Sequence, residues 1–157
     1  MRLLLRITLA VLLCLQTVAA FSQSAQQIGC VEPVLRQQAR ELQQQFIEQG
    51  FTVSCDAMIH MSSNEPFPVV VELQKGVFYQ FIFIGNTRAQ KLTLELYDND
   101  QKRLALKTSH TGKDEANYIF FSFVPEKSGP YVFALTQKVK QKAFCGSFTI
   151  MELKEKK

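Results

Sequence analysis

The chain of 157 residues has no tryptophan and only two histidines, His60 and His110. Metal sites need several His, Cys or carboxylate ligands at defined spacing, and neither an H-E-x-x-H run nor a paired C-x-x-C occurs. The glycine patterns of P-loops and dinucleotide folds are missing, and so is the G-x-S-x-G elbow of α/β-hydrolases. These gaps leave no cofactor to expect. Lys and Arg number 18 against 14 Asp and Glu, and the two signs are interspersed. A nucleic-acid footprint needs clustered Lys and Arg, and none is visible, so a nucleic-acid partner is not expected.

Also missing is an apolar run long enough to cross a bilayer comfortably. The nearest candidate is the start, MRLLLRITLAVLLCLQTVAA. Arg2 and Arg6 precede an apolar core from Ile7 to Leu15, and Val18 and Ala20 occupy the small-residue positions read by signal peptidase. This is the order of a secretory signal peptide, closed early by Gln16, Thr17, Ser22, Gln23 and Ser24. Leu13 before Cys14 is too large for the small residue that precedes a lipidated cysteine. Residues 1–20 therefore read as a cleaved signal, with no membrane span afterwards and a periplasmic or extracellular destination. Their removal takes two basic and no acidic residues, leaving a net charge of +2. The mature chain suits one core rather than two domains.

What is present is periodicity. Val31, Leu35, Ala39, Leu42 and Phe46 follow one another at helical spacing, with Pro33 in the first turn and Gly50 past the end. An amphipathic helix is expected within 21–50, resting on something apolar. From Phe51 onward the pattern has period two, and residues 51–153 read as strands, with 154–157 a polar tail. Phe51, Val53, Cys55, Ala57, Ile59 and Met61 share one parity. Further strands follow at Val69–Leu73, Leu92–Leu96, Leu104–Leu106, Ile119–Phe123, Tyr131–Leu135 and Phe148–Ile150. In the two with Leu104/Leu106 and Leu92/Leu94/Leu96, the leucines are expected to face the core. Val77–Ile84 is apolar on both parities except at Gln80, as a central strand covered on both faces would be. The helix is the natural second cover. Turn residues separate short strands without βαβ alternation, so the expected fold is a mostly β, antiparallel two-sheet β-sandwich with one N-terminal amphipathic helix. Thirteen phenylalanines make its core phenylalanine-packed.

Cleavage would leave three cysteines, an odd number in an oxidising compartment. Parity places Cys55 toward the core, as a buried free thiol, and Cys145 away from it. Cys30 stands at the helix start. If the helix covers an outer sheet face, Cys30 and Cys145 can meet there. A Cys30–Cys55 bridge would require the chain to run straight back along a helix of about 18 residues, about 27 Å long, because disulfide Cα atoms must approach within roughly 7 Å. Cys30–Cys145 is the favoured pair.

Other constellations are weaker. Ser109, His110 and Asp114 are the residue types of a hydrolase triad, but a flexible polar loop is a poor frame for a function that rests on geometry. His60 reads as a surface residue on a strand. Asp98, Asn99 and Asp100 cluster oxygens as a calcium loop does, although Gln101 and Lys102 depart from that pattern and a hairpin turn is the plainer explanation. Tyr97, Tyr118 and Phe120 fall at outward or ambiguous parity and are candidate ligand-facing aromatics of a carbohydrate-binding module. A covered outer face explains Phe78 and Phe120 equally well.

Three segments taken together resemble the bacterial pre-peptidase C-terminal (PPC) domain family: GVFYQFIFIGN at 76–86, LELYDNDQKRLAL at 94–106 and PEKSGPYVFAL at 125–135. The resemblance extends over about Phe67 to Ile150. Gln101 stands where that family's hairpin carries Gly. What it implies is a jelly-roll-like, non-catalytic sandwich that binds a partner, an unknown protein or a polysaccharide. A carbohydrate-binding module is the alternative expectation, and a small secreted hydrolase using His110 a third. Intact-mass analysis of the exported protein should find Phe21 as the first residue, and an intact Met1 would overturn the signal-peptide reading.

Overall fold

The computed structural model describes residues 30–111, 116–140 and 143–153. Residues 1–20, read above as a signal peptide, Asp114 and the tail at 154–157 lie outside them. The elements are helix α1 (Pro33–Ile47) and strands β1 (Phe51–Ser62), β2 (Phe67–Leu73), β3 (Tyr79–Ile84), β4 (Lys91–Tyr97), β5 (Arg103–His110), β6 (Tyr118–Phe123), β7 (Gly129–Lys138) and β8 (Ala143–Leu153). They form two four-stranded sheets, β1-β8-β3-β6 and β2-β7-β4-β5, with antiparallel pairing throughout. Among the described residues this is the β-sandwich with one helix that the periodicity predicts. Among the described residues no helix is long and apolar enough to cross a membrane.

The alternating leucines of β4 and the odd-numbered residues of β7 meet the inner faces of β3 and β8. Phe81, Phe83, Phe133, Phe148, Leu92, Leu94, Leu96 and Leu135 are fully enclosed. Phe81 is central. Its ring lies 4.5 Å from Phe133 and about 6 Å from Tyr79, Phe121 and Phe148. Rings at such distances add about 0.5–1.5 kcal/mol per pair beyond their burial. Gln137, wholly buried on β7, ties the two sheets. Its Oε1 accepts from Asn86 N at 2.9 Å and its Nε2 donates to Cys145 O at 3.4 Å.

β3 is buried at all six positions. Tyr79, Phe81 and Phe83 belong to the inter-sheet core, whereas Ile82 and Ile84 lie under α1 with Leu35, Ala39, Leu42 and Met151. The helix is fastened covalently: Cys30 and Cys145 form a disulfide, with Cα atoms 5.6 Å apart and 115 residues between them in sequence. Closing a loop of that length stabilises by about 4–5 kcal/mol in the chain-entropy description. Polar contacts reinforce it. Gln38 and Asn117 exchange hydrogen bonds at 2.6 and 3.1 Å, and Gln43 Nε2 donates to Thr149 Oγ1 at 3.0 Å.

Four expectations are corrected. Val31, placed on the buried helix face by spacing, is 82% exposed, because the helix begins at Pro33 and Val31 precedes its first turn. Cys55 is free but exposed rather than buried. Pairing shifts from Val53↔Met151 to Cys55↔Ile150, so Ser54 is a bulge residue. The bulge inverts the parity of β1: Phe51 packs under the helix, and Ala57, Ile59 and Met61 pack in the core. Cys55 lies on the edge strand β1, where it stays exposed at the mouth of a cleft. Leu104 and Leu106 face solvent. A second bulge at Leu96/Tyr97 sets Ala105 opposite Leu96 as the inward residue of β5. Finally, His110 closes β5 instead of lying in a loop.

The β4–β5 turn shows why Gln101 is an unusual occupant. Asp98 Oδ1 accepts from Asp100 N and Lys102 N at 3.0 and 2.9 Å, and the backbone closes through Asp98 N to Lys102 O at 3.0 Å. This geometry drives Gln101 to φ 60, a conformation that suits glycine. Gln101→Gly should raise the free energy of unfolding by about 0.5–1 kcal/mol in chemical denaturation, and a loss of stability would contradict the turn.

Candidate binding groove at the end of the helix

The helix ends in a tight reversal. Gln49 N donates to Phe46 O at 3.0 Å and Gly50 N to Ile47 O at 2.9 Å, while Gly50 takes φ 96, which glycine tolerates without a Cβ clash. The chain then re-enters the first sheet with Phe51 directed back toward Phe46, their rings edge to face at 5.7 Å. Phe46 also meets Phe120 at 5.2 Å, Phe120 meets Tyr118 at 4.7 Å, and Phe51 meets Phe78 at 5.7 Å. Five aromatic side chains from the helix, β1, the β2–β3 connection and β6 thus form one connected chain of rings.

Part of this chain is open to water. Phe78 and Phe120 are 39% and 37% exposed, as is Leu153 at 39%. A shallow groove of about 450 Å³ is lined by Phe78 and Leu153 together with Phe46, Phe51, Gln49, Gln80 and Ser122, and Phe120 stands beside it against Phe46. Its floor is polar. Ser122 Oγ donates to Gln80 Oε1, and Gln80 Nε2 donates to Phe81 O at 3.1 Å. Gln49 is exposed at the rim. Apolar walls with a few fixed amides and a hydroxyl suit a ligand that presents both C–H faces and hydrogen-bonding groups.

The candidate aromatics divide between two surfaces. Tyr118 and Phe120 share the outer face of the first sheet. Tyr97 lies on the outer face of the second sheet, opposite Val132 and Arg103, so no row of three exists. The triad is not assembled either. Ser109 and His110 are consecutive strand residues and point to opposite faces; Ser109 Oγ donates to Ala116 O at 3.3 Å, and His110 pairs across the ladder with Lys91. Asp114 lies outside the described residues. Asp98 is engaged in closing its turn, and among the described residues there is no group of three or more His, Cys, Asp or Glu that could hold a metal. His60 is exposed on β1, with Nδ1 3.8 Å from Cys30 Sγ beside the disulfide. Sequence reasoning missed Phe46, Phe51 and Leu153 as groove residues. The clue was Phe51 following Gly50 directly, since that glycine turns the strand back onto the last turn of the helix.

No family model matches the chain, and neither does any curated protein sequence. Among solved structures, the chain is similar to a CBM4 module at 12% identity and a TM-score of 0.39, covering 66% of this chain and 78% of the other. It is also similar to the CBM22-1–GH10 modules of a Clostridium thermocellum xylanase complexed with xylohexaose, at 14% identity and a TM-score of 0.37, covering 69% of this chain and 27% of that one. A glycosylation-associated protein complex from Streptococcus agalactiae matches at 10% identity and a TM-score of 0.33, over 68% and 40% of the respective chains.

A second, smaller cleft of about 310 Å³ opens at the rim of the sandwich, lined by Cys55, Val71, Leu73, Tyr79, Ile150 and Glu152 among others. Although Cys55 is an exposed residue, its thiol loses water against these side chains. That desolvation, with the adjacent Asp56 carboxylate, holds its pKa above the ordinary thiol value. Both effects disfavour the thiolate. Alkylation by iodoacetamide at pH 8 should therefore be slower than for an unstructured cysteine peptide, and Asp56→Asn should accelerate it. An unchanged rate in that variant would refute the electrostatic part.

Proposed function

We propose that the chain is an exported, non-catalytic binding module that holds a polysaccharide segment in the aromatic groove beside the C-terminal end of α1. The observation that carries this reading is the partly exposed ring of Phe78 beside Gln80 and Ser122, in a groove also lined by Phe46, against which the partly exposed Phe120 packs. A ring face contributes stacking area to the C–H face of a sugar, while preset amide and hydroxyl groups meet its hydroxyls. The neighbouring rings Phe46, Phe51 and Tyr118 hold Phe120 and Phe78 in place, which limits the entropy lost on binding. The PPC-like segments support the coarser part of the reading, a non-catalytic sandwich that engages a partner. The disulfide fits an oxidising, exported setting.

The purely structural alternative is that these rings only seat the helix. Pull-down on insoluble glycans, followed by calorimetry with the oligosaccharide selected, separates the two. Phe78→Ala and Phe120→Ala should each weaken binding by more than about fivefold while leaving the far-UV spectrum unchanged. Undiminished glycan binding in the double variant, or capture of a protein partner with no glycan bound by the wild type, would sink the polysaccharide reading.

A further inference from the structure

Among the described residues, no element covers the outer face of the second sheet. Strand register fixes the residues it displays. Lys138 on β7 lies opposite Lys91 on β4, which lies opposite His110 on β5. The next outward row is Thr136, Thr93 and Thr108, from the same three strands in the same order. Lys138, Lys91 and His110 are all exposed. With neighbouring strands about 4.8 Å apart, the cationic row spans about 10 Å.

Like charges directly opposite one another across a ladder are destabilising, so folding alone gives no reason for the Lys138–Lys91 pair. No carboxylate forms an ion pair with either lysine among the described residues. Their single ion pair is Arg103–Glu95 at 2.9 Å, two rows away on the same face, and Glu72 is set near the opposite end of the sheet, across from Pro130. Two further cations, Arg88 and Lys140, are exposed in the segments flanking β4 and β7 at this end.

We infer that the Lys138–Lys91–His110 row, with the threonine row beside it, is a second binding site, specific for an acidic polysaccharide. The ammonium groups meet successive carboxylates or sulfates, and His110 supplies an N–H donor in either protonation state. The threonine hydroxyls donate to and accept from the sugar hydroxyls alongside. The surroundings of the row favour this ligand over other polyanions. Among the described residues no phenylalanine or tyrosine ring occupies the row or the threonine row beside it to stack a nucleobase. A lipid surface is disfavoured because the threonines separate the cations from the apolar residues Ala134 and Leu106 of the following row, leaving no apolar anchor beside them.

This site is independent of the aromatic groove, which lies on the outer face of the other sheet, and the two can fail separately. Binding of the wild-type protein to polygalacturonate should be measured by calorimetry at low and at physiological salt, with neutral dextran and phosphatidylglycerol vesicles as comparisons. Binding to polygalacturonate should weaken as salt rises. Lys91→Glu/Lys138→Glu should reduce it about tenfold or more, and Lys91→Thr should reduce it while leaving the melting temperature unchanged or higher. Phe78→Ala/Phe120→Ala should leave it intact. Binding that is equal for dextran, that survives the double charge reversal, or that is matched by the vesicles would overturn the assignment.

Discussion

A strand whose six residues are all buried cannot lie in a sheet with one wet face. β3 imposes that constraint on the molecule. Its odd-numbered side chains fill the space between the sheets, and Ile82 and Ile84 on the reverse need an apolar cover of their own. Helix α1 supplies it. Once the helix is placed there, other features follow. Cys30 comes to the outer face of β8, where Cys145 waits, and Asn117 finds Gln38. The last helical turn also brings Phe46 over Phe51 and Phe120. The groove is thus a by-product of covering β3: the helix ends at Ile47 and leaves Phe78 and Leu153 partly in water.

Much of this arrangement was legible in the residues. The doubly apolar run at Val77–Ile84 announced a central strand, the Leu35–Ala39–Leu42 spacing announced its cover, and the outward parity of Cys145 chose the disulfide. Period two carried less information wherever a ladder is irregular. Ser54 adds one residue to β1 and reverses every later side chain relative to Phe51, and no residue type there signals a bulge. The leucines of β5 misled for a related reason: an edge strand tolerates apolar residues outside, and the small Ala105 proved to be the inward one. The candidate aromatics were readable only as outward. Which sheet each belonged to depended on strand order, and that order separates Tyr97 from Tyr118 and Phe120.

The two outer faces differ in kind. One is roofed by the helix, and its residual opening is aromatic with a polar floor. The other is bare, graded from proline and valine at one end through threonine to lysine and histidine at the other. Its basic row could not be found by scanning the chain, because residues 91, 110 and 138 are far apart in sequence and no local run of positive charge marks them. Charge clustering in a β-protein is a property of register, and it becomes visible once the ladders are known.

The bond between Cys30 and Cys145 has a further consequence for resistance to proteolysis. Nearly every connection in the molecule falls between those two positions, including the exposed turn at Asp98–Lys102. A protease that cuts one of these connections produces two polypeptides that stay tethered, and their strands remain hydrogen-bonded to neighbours on the other fragment. A nicked molecule therefore keeps both outer faces presented, and losing a fragment requires reductant as well as proteolysis.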